Sequence, residues 1–91
     1  MGKFRIKIED KAKRDFAKIY MSGNKATVKK LEKIIVELSD HPAFGIGNPE
    51  PLKYNLSGFW SRRINKKDRL IYEIIEEPDK LVVVVSALGH Y

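Results

Sequence analysis

An α+β fold is what this sequence predicts: an N-terminal strand, an antiparallel helical hairpin, and a mostly antiparallel sheet of about four to five strands carrying the hairpin on one face. Three observations lead there. Lys3 to Ile8 alternates charged and apolar residues, the next thirty or so residues repeat their apolar positions every three to four, and the last third holds three apolar runs separated by turn residues. Helices first and paired strands afterwards is the pattern of an α+β domain.

In the first run Phe4, Ile6 and Ile8 share one side and Lys3, Arg5 and Lys7 the other, as in a half-buried strand. Glu9-Asp10 offers a carboxylate cap to a first helix with the stripe Ala12, Phe16, Ile19 and Tyr20. That helix should stop at Ser22-Gly23, glycine being able to take the left-handed cap without strain. Asn24 can cap a second helix whose stripe is Val28, Leu31, Ile34, Ile35 and Leu38. Pro42 should limit it, because the residue before a proline disfavours the helical region. So short a link makes the two helices an antiparallel hairpin.

His41 to Pro51, HPAFGIGNPEP, is the one long irregular stretch, and Phe44 and Ile46 are expected to pin it to the core. Long ordered loops in compact domains are disproportionately functional. Strands are expected at Trp60–Asn65, Arg69–Ile75 and Leu81–Ala87, with Leu52–Leu56 a candidate short strand before the Ser57-Gly58 turn. Leu81-Val82-Val83-Val84-Val85 does not alternate, so both its faces want cover.

Ninety-one residues make one domain, 1–91, able to bury a single modest core. Cysteine is absent, which removes disulfides and thiolate metal sites, and two distant histidines argue against a metal centre. No cofactor is called for. With no apolar run suited to a signal peptide or a membrane span, a soluble cytoplasmic protein is expected. Eighteen Lys and Arg against twelve Asp and Glu give a net charge of +6. Such a field suits nucleic acid or an acidic protein as partner.

Function concentrates in Pro49 to Tyr72, PEPLKYNLSGFWSRRINKKDRLIY. It sets one carboxylate, Glu50, in a proline-braced loop among Lys53, Arg62, Arg63, Lys66 and Arg69, with the aromatics Tyr54, Phe59 and Trp60 close by. A core has no use for cations clustered beside a lone acid; an anionic ligand does. Tyr54, Phe59 and Trp60 are candidate stacking residues for single-stranded RNA, though Trp60 equally suits a core or an interface. Arg62 and Arg63 are strand neighbours and point to opposite faces. Arg63 shares the parity of Phe59 and Ser61, and which arginine faces the cleft stays open; Arg63 stands among the candidate contacts.

GNPEPLKYNLSGFWSRRI, followed by DRLIYEI and a final HY, resembles the YoeB/Txe toxins of bacterial toxin–antitoxin modules, within the RelE superfamily. The resemblance is strong over Gly45–Tyr72 and at the last two residues, and weak through the first forty. It implies a RelE-like, microbial-ribonuclease-like fold and an endoribonuclease that cuts mRNA in the ribosomal A site. It further implies neutralisation by an acidic antitoxin of the YefM/Axe kind and operator-DNA binding only as the toxin–antitoxin complex, and it leaves a homodimer open. The family's catalytic glutamate falls on Glu50, its strand arginine on Arg69 and its penultimate histidine on His90; Lys53 and the terminal Tyr91 match its substrate contacts. Leu88 stands where the family usually has a basic residue, so a catalytically weak RNA- or ribosome-binding module, or an antitoxin-dependent co-repressor, is the alternative.

Cutting RNA without a metal turns the ribose 2′-OH onto the adjacent phosphorus. That needs a base at the 2′-OH, an acid at the departing 5′-oxygen and cations around the phosphorane. Glu50 as base, His90 as acid and Arg69 as a planar phosphate grip satisfy those demands.

Overall fold

The computed structural model describes residues 3–89. The expected α+β architecture is observed. Strand β1 (Arg5–Ile8) leads into α1 (Asp10–Met21) and α2 (Lys25–Leu38), and then come β2 (Glu50–Pro51), β3 (Phe59–Arg63), β4 (Arg69–Ile75) and β5 (Leu81–Gly89). They form one five-stranded sheet in the order β1-β5-β4-β3-β2, antiparallel except where β1 runs parallel to β5. No helix among the described residues is long and apolar enough to cross a membrane.

Local chemistry sets the hairpin. The Asn24 carboxamide accepts from the Thr27 N–H at 3.1 Å and caps α2, while Gly23 takes φ +76° between the helices. Glu9 stands at the α1 cap position without a side-chain cap bond. The apolar stripes bury Ala12, Ile19, Leu31, Ile34 and Leu38 against Leu70, Tyr72, Val82 and Val84 of the sheet. Tyr20 departs from its expected place and is 51% exposed. In β5, Val82 and Val84 take the helix side and are fully buried, whereas Val83 and Val85 are only half-covered on the other.

The loop before β2 is held differently from the expectation. Phe44 and Ile46 do not pin it: Phe44 is 63% exposed and Ile46 lies at the surface. Arg62 does the pinning. Its side chain has no exposure, and each of its five N–H groups meets an acceptor: the Tyr72 hydroxyl, the Glu37 carboxylate (2.8 Å), and the carbonyls of His41, Phe44 (3.0 Å) and Ile46. A buried guanidinium is costly unless fully satisfied, and here it is. The Tyr72 hydroxyl passes the linkage on by donating to the Pro42 carbonyl at 2.6 Å. Burial pushes that hydroxyl's pKa up, against the pull of Arg62, so it remains a donor at neutral pH.

Two glycines let the loop come this close. A Cβ on Gly45 would collide with the Glu37 carboxylate, and one on Gly47 would stand 2.9 Å from the Arg63 carbonyl. Gly47 also accepts the Arg63 N–H at 2.6 Å, which fastens the loop to the end of β3.

A second buried charge organises β5, two strands across from Arg62. Between Gly89 and Ser86, β5 uses three steps where β4 uses two from Arg69 to Ile71, and it gains another residue between Ser86 and Val84. Such bulges leave backbone groups without a ladder partner. Asp15 of α1 supplies the partner. Its Oδ2 accepts from the N–H of Ala87 (3.0 Å) and Leu88 (3.3 Å), from the Ser86 hydroxyl (3.3 Å) and from Lys11 Nζ (2.6 Å). Burial alone would raise its pKa, but these donors and the Lys11 charge outweigh burial and hold it below the usual carboxylate value.

Two outcomes follow from these anchors. Arg62→Ala leaves Glu37 and three carbonyls without their donor, and should lower unfolding free energy by roughly 3–5 kcal/mol in urea titrations. A loss below about 1 kcal/mol would show that the loop does not depend on it. Asp15→Asn should cost about 1.5–3 kcal/mol at neutral pH. Because the folded pKa lies below the unfolded value of about 3.9, the wild-type contribution is complete above that pH and disappears as pH falls through the folded pKa. The gap between wild type and variant should therefore close in acid, as measured by urea midpoints across a pH series.

Candidate functional site

Glu50 owes its conformation to the residue after it. A residue preceding proline is driven to extended backbone, and Pro51 has no N–H to give to a further strand. Glu50-Pro51 therefore makes a two-residue strand that can only be an edge, and β2 is the edge of the sheet next to β3. Glu50 stands directly opposite Ser61, which in turn faces Ile71 of β4. Directly paired residues share a face, and this one lies away from the helices, since Trp60, Tyr72 and Leu70 take the core side.

Two residues further along β3, Arg63 pairs with Arg69, and Arg69 pairs with Gly89 of β5. Arg63 is exposed and Arg69 half-buried. The open face thus carries Glu50 at its edge, then Ser61 and Ile71, both buried, and the two arginines beside them. By strand spacing, the Glu50 and Arg69 backbones stand roughly 12 Å apart, a gap that a ribose-phosphate unit and two extended side chains can fill. Among the described residues, Arg69 makes no ion pair with Asp68 or Glu73; the Asp68 carboxylate accepts instead from Asn65 at 3.1 Å. Glu73 lies on the same face, opposite Phe59 and Val83.

The question between Arg62 and Arg63 is answered by this register. Arg62 is committed to the loop on the helix side and Arg63 is the one left on the open face. Lys53 is exposed just past the β2 edge. The segment Leu52–Leu56 does not form the short strand expected of it: Tyr54–Leu56 is a single 3₁₀ turn, closed by the Ser57 N–H on the Tyr54 carbonyl at 3.0 Å. Tyr54 has φ +61° and is 91% exposed. Left-handed backbone is uncommon for an aromatic residue and costs about 1–2 kcal/mol, so its outward ring is held at an energetic cost.

Trp60 is turned the other way. It pairs with Tyr72 and packs against the core on the helix side, so it does not share the face of Glu50, Arg63 and Arg69. Leu88 also packs against the core, and its N–H is one of those held by Asp15. His90 and Tyr91 lie outside the described residues; the chain reaches them from Gly89, the partner of Arg69.

Asp15 and Arg62 are the residues whose roles sequence reasoning missed. The signal for both was present as a charge in a core-facing register. Asp15 falls inside the stripe Ala12, Phe16, Ile19, and Arg62 is in phase with Trp60 and Ile64.

Comparison with known proteins agrees with this architecture. Residues 8–91 match the family model of the YoeB-like toxins of bacterial type II toxin–antitoxin systems. The toxin YoeB of Synechocystis sp. is 42% identical over 72 residues, covering 79% of this chain and 80% of the relative. Among solved structures, the YoeB dimer from Staphylococcus aureus superposes with a TM-score of 0.80 at 34% identity, covering 98% of this chain and 99% of that one. The YoeB–YefM complex from the same organism gives 0.76 at 35% identity, over 97% and 98% of the two chains. Matched by the family model over residues 8–91 and by a relative 42% identical over 79% of its length, this chain belongs to the YoeB-like toxins of bacterial type II toxin–antitoxin systems.

Proposed function

We propose that this toxin is a metal-independent endoribonuclease that cuts mRNA in the ribosomal A site. One observation supports the reading above the others: Glu50, Arg63 and Arg69 share the open face of the sheet, and Gly89, one residue before His90, is Arg69's strand partner. In this reading Glu50 takes the proton from the 2′-OH, and the freed oxygen attacks the adjacent phosphorus. His90 gives a proton to the departing 5′-oxygen, leaving a 2′,3′-cyclic phosphate. Arg69 and Arg63 neutralise the pentacoordinate phosphorus, Arg69 with a planar fork. Lys53 and Tyr91 hold the flanking backbone, and Tyr54 stacks on a base.

The partners follow from the family. The chain is neutralised by an acidic antitoxin of the YefM kind, as the S. aureus YoeB–YefM complex suggests, and it binds operator DNA only within such a complex. A homodimer, as in the S. aureus YoeB structure, and a cytoplasmic location complete the reading. A second reading, a toxin-like module that docks on RNA or the ribosome without cutting, draws on Leu88 in place of the family's basic residue.

Primer extension on translating ribosomes tests the first reading. Glu50→Gln and His90→Ala should each lower the cleavage rate by roughly 10²–10⁴. Glu50 is exposed at a sheet edge, so its replacement should leave stability within about 0.5 kcal/mol. Full cleavage by both variants would end the proposal, and salt-sensitive binding without cut ends in the wild type would favour the second reading. Arg69→Lys keeps the charge but loses the fork, and should cost roughly tenfold to a hundredfold in kcat/KM; wild-type kcat/KM in that variant would remove Arg69 from the phosphate site.

A further inference from the structure

A groove of about 800 Å³ lies where the corner of the helical hairpin meets the β3–β4 turn. Its walls are Lys18 and Ser22 of the α1 end, Asn24 and Thr27 of the α2 start, and the turn Asn65-Lys66-Lys67-Asp68, with Leu88 at its side. Lys18, Lys66 and Lys67 are exposed, and the single acid in the lining, Asp68, is buried and bonded to Asn65. The turn is braced from within: Asn65 Oδ1 accepts from the N–H of Lys67 at 2.8 Å and of Asp68 at 2.7 Å. Both lysines therefore stand on fixed backbone.

The groove lies on the helix side, around the end of the sheet from the open face. The turn joins Arg63 to Arg69, and Leu88 immediately precedes Gly89, the partner of Arg69. Deepening the endoribonuclease reading, on which it rests, we infer that this lysine groove carries the RNA phosphate backbone on one side of the scissile nucleotide. A positively charged groove that tracks backbone is how single strands are held without sequence readout. Charge points to this occupant: three exposed lysines line the groove, and its one acid is buried and bonded to Asn65.

The test is anisotropy of a labelled 2′-O-methyl RNA oligonucleotide, which lacks the attacking hydroxyl and binds without being cut. Binding is measured against KCl for the wild type, for Lys18→Ala/Lys66→Ala/Lys67→Ala, and for a control of equal net charge, Lys29→Ala/Lys33→Ala/Lys80→Ala. The groove variant should lose roughly 0.7 from the log–log salt slope per lysine, about 2 in all, and the control much less. In the cleavage assay the groove variant should raise KM several-fold at unchanged kcat. Equal slopes in the two triple variants would overturn the inference, as would loss of poly-L-glutamate binding with the RNA slope intact. A wild-type chain that binds RNA through the groove yet never cuts would overturn the nuclease reading alone, so the two fail separately.

Discussion

The buried guanidinium of Arg62 is the contact on which the rest of this structure depends. It reaches from the middle of β3 under the irregular loop and ties three carbonyls, one carboxylate and one tyrosine hydroxyl to the sheet. That ligation does what apolar packing does not, because Phe44 and Ile46 face solvent. The loop ends in Pro49-Glu50-Pro51, so whatever fixes the loop also fixes where the edge strand begins. A charge inside the protein thereby positions a charge outside it.

Asp15 does the corresponding work on the same face of the sheet, two strands away at β5. Two bulges in β5 break the regular ladder just where the strand approaches the chain's last residues, and the freed N–H groups turn to one carboxylate on α1. Both anchors have the same logic. Where the backbone departs from regular secondary structure, a fully satisfied ionic side chain replaces the missing ladder bonds. In each case the irregular segment leads along the sequence to a residue proposed for chemistry, Glu50 in one instance and His90 in the other.

Much of the fold was legible because regular elements advertise themselves by period. Arg69–Ile75 was read to the residue, and the helix stripes named every apolar residue that the helices bury, though not Asp15 or Thr27. What was not legible came from residues whose role is tertiary. Phe44 and Ile46 look like loop anchors by hydrophobicity alone, yet a guanidinium with five acceptors within reach outcompeted them. Tyr54 lies in a stretch that alternates well enough to suggest a strand, but the left-handed backbone there turns the chain instead. The choice between Arg62 and Arg63 needed the register, since alternation says only that they differ. The candidate site shows the same division. The motif named Glu50 and Arg69, and Arg63 stood only as a candidate; their common face follows from strand pairing that no single segment encodes.

The chemistry proposed for that face has a signature in its products. Attack by the 2′-oxygen leaves a 2′,3′-cyclic phosphate, or the 3′-phosphate it hydrolyses to, on one fragment and a 5′-hydroxyl on the other. Mass spectrometry of fragments produced on ribosomes in the presence of a chelator of divalent ions not needed for ribosome integrity reads those ends directly. Cyclic phosphate and 5′-hydroxyl termini are the predicted result; 3′-hydroxyl and 5′-phosphate termini would mean that water, not the ribose, attacked, and would contradict the account.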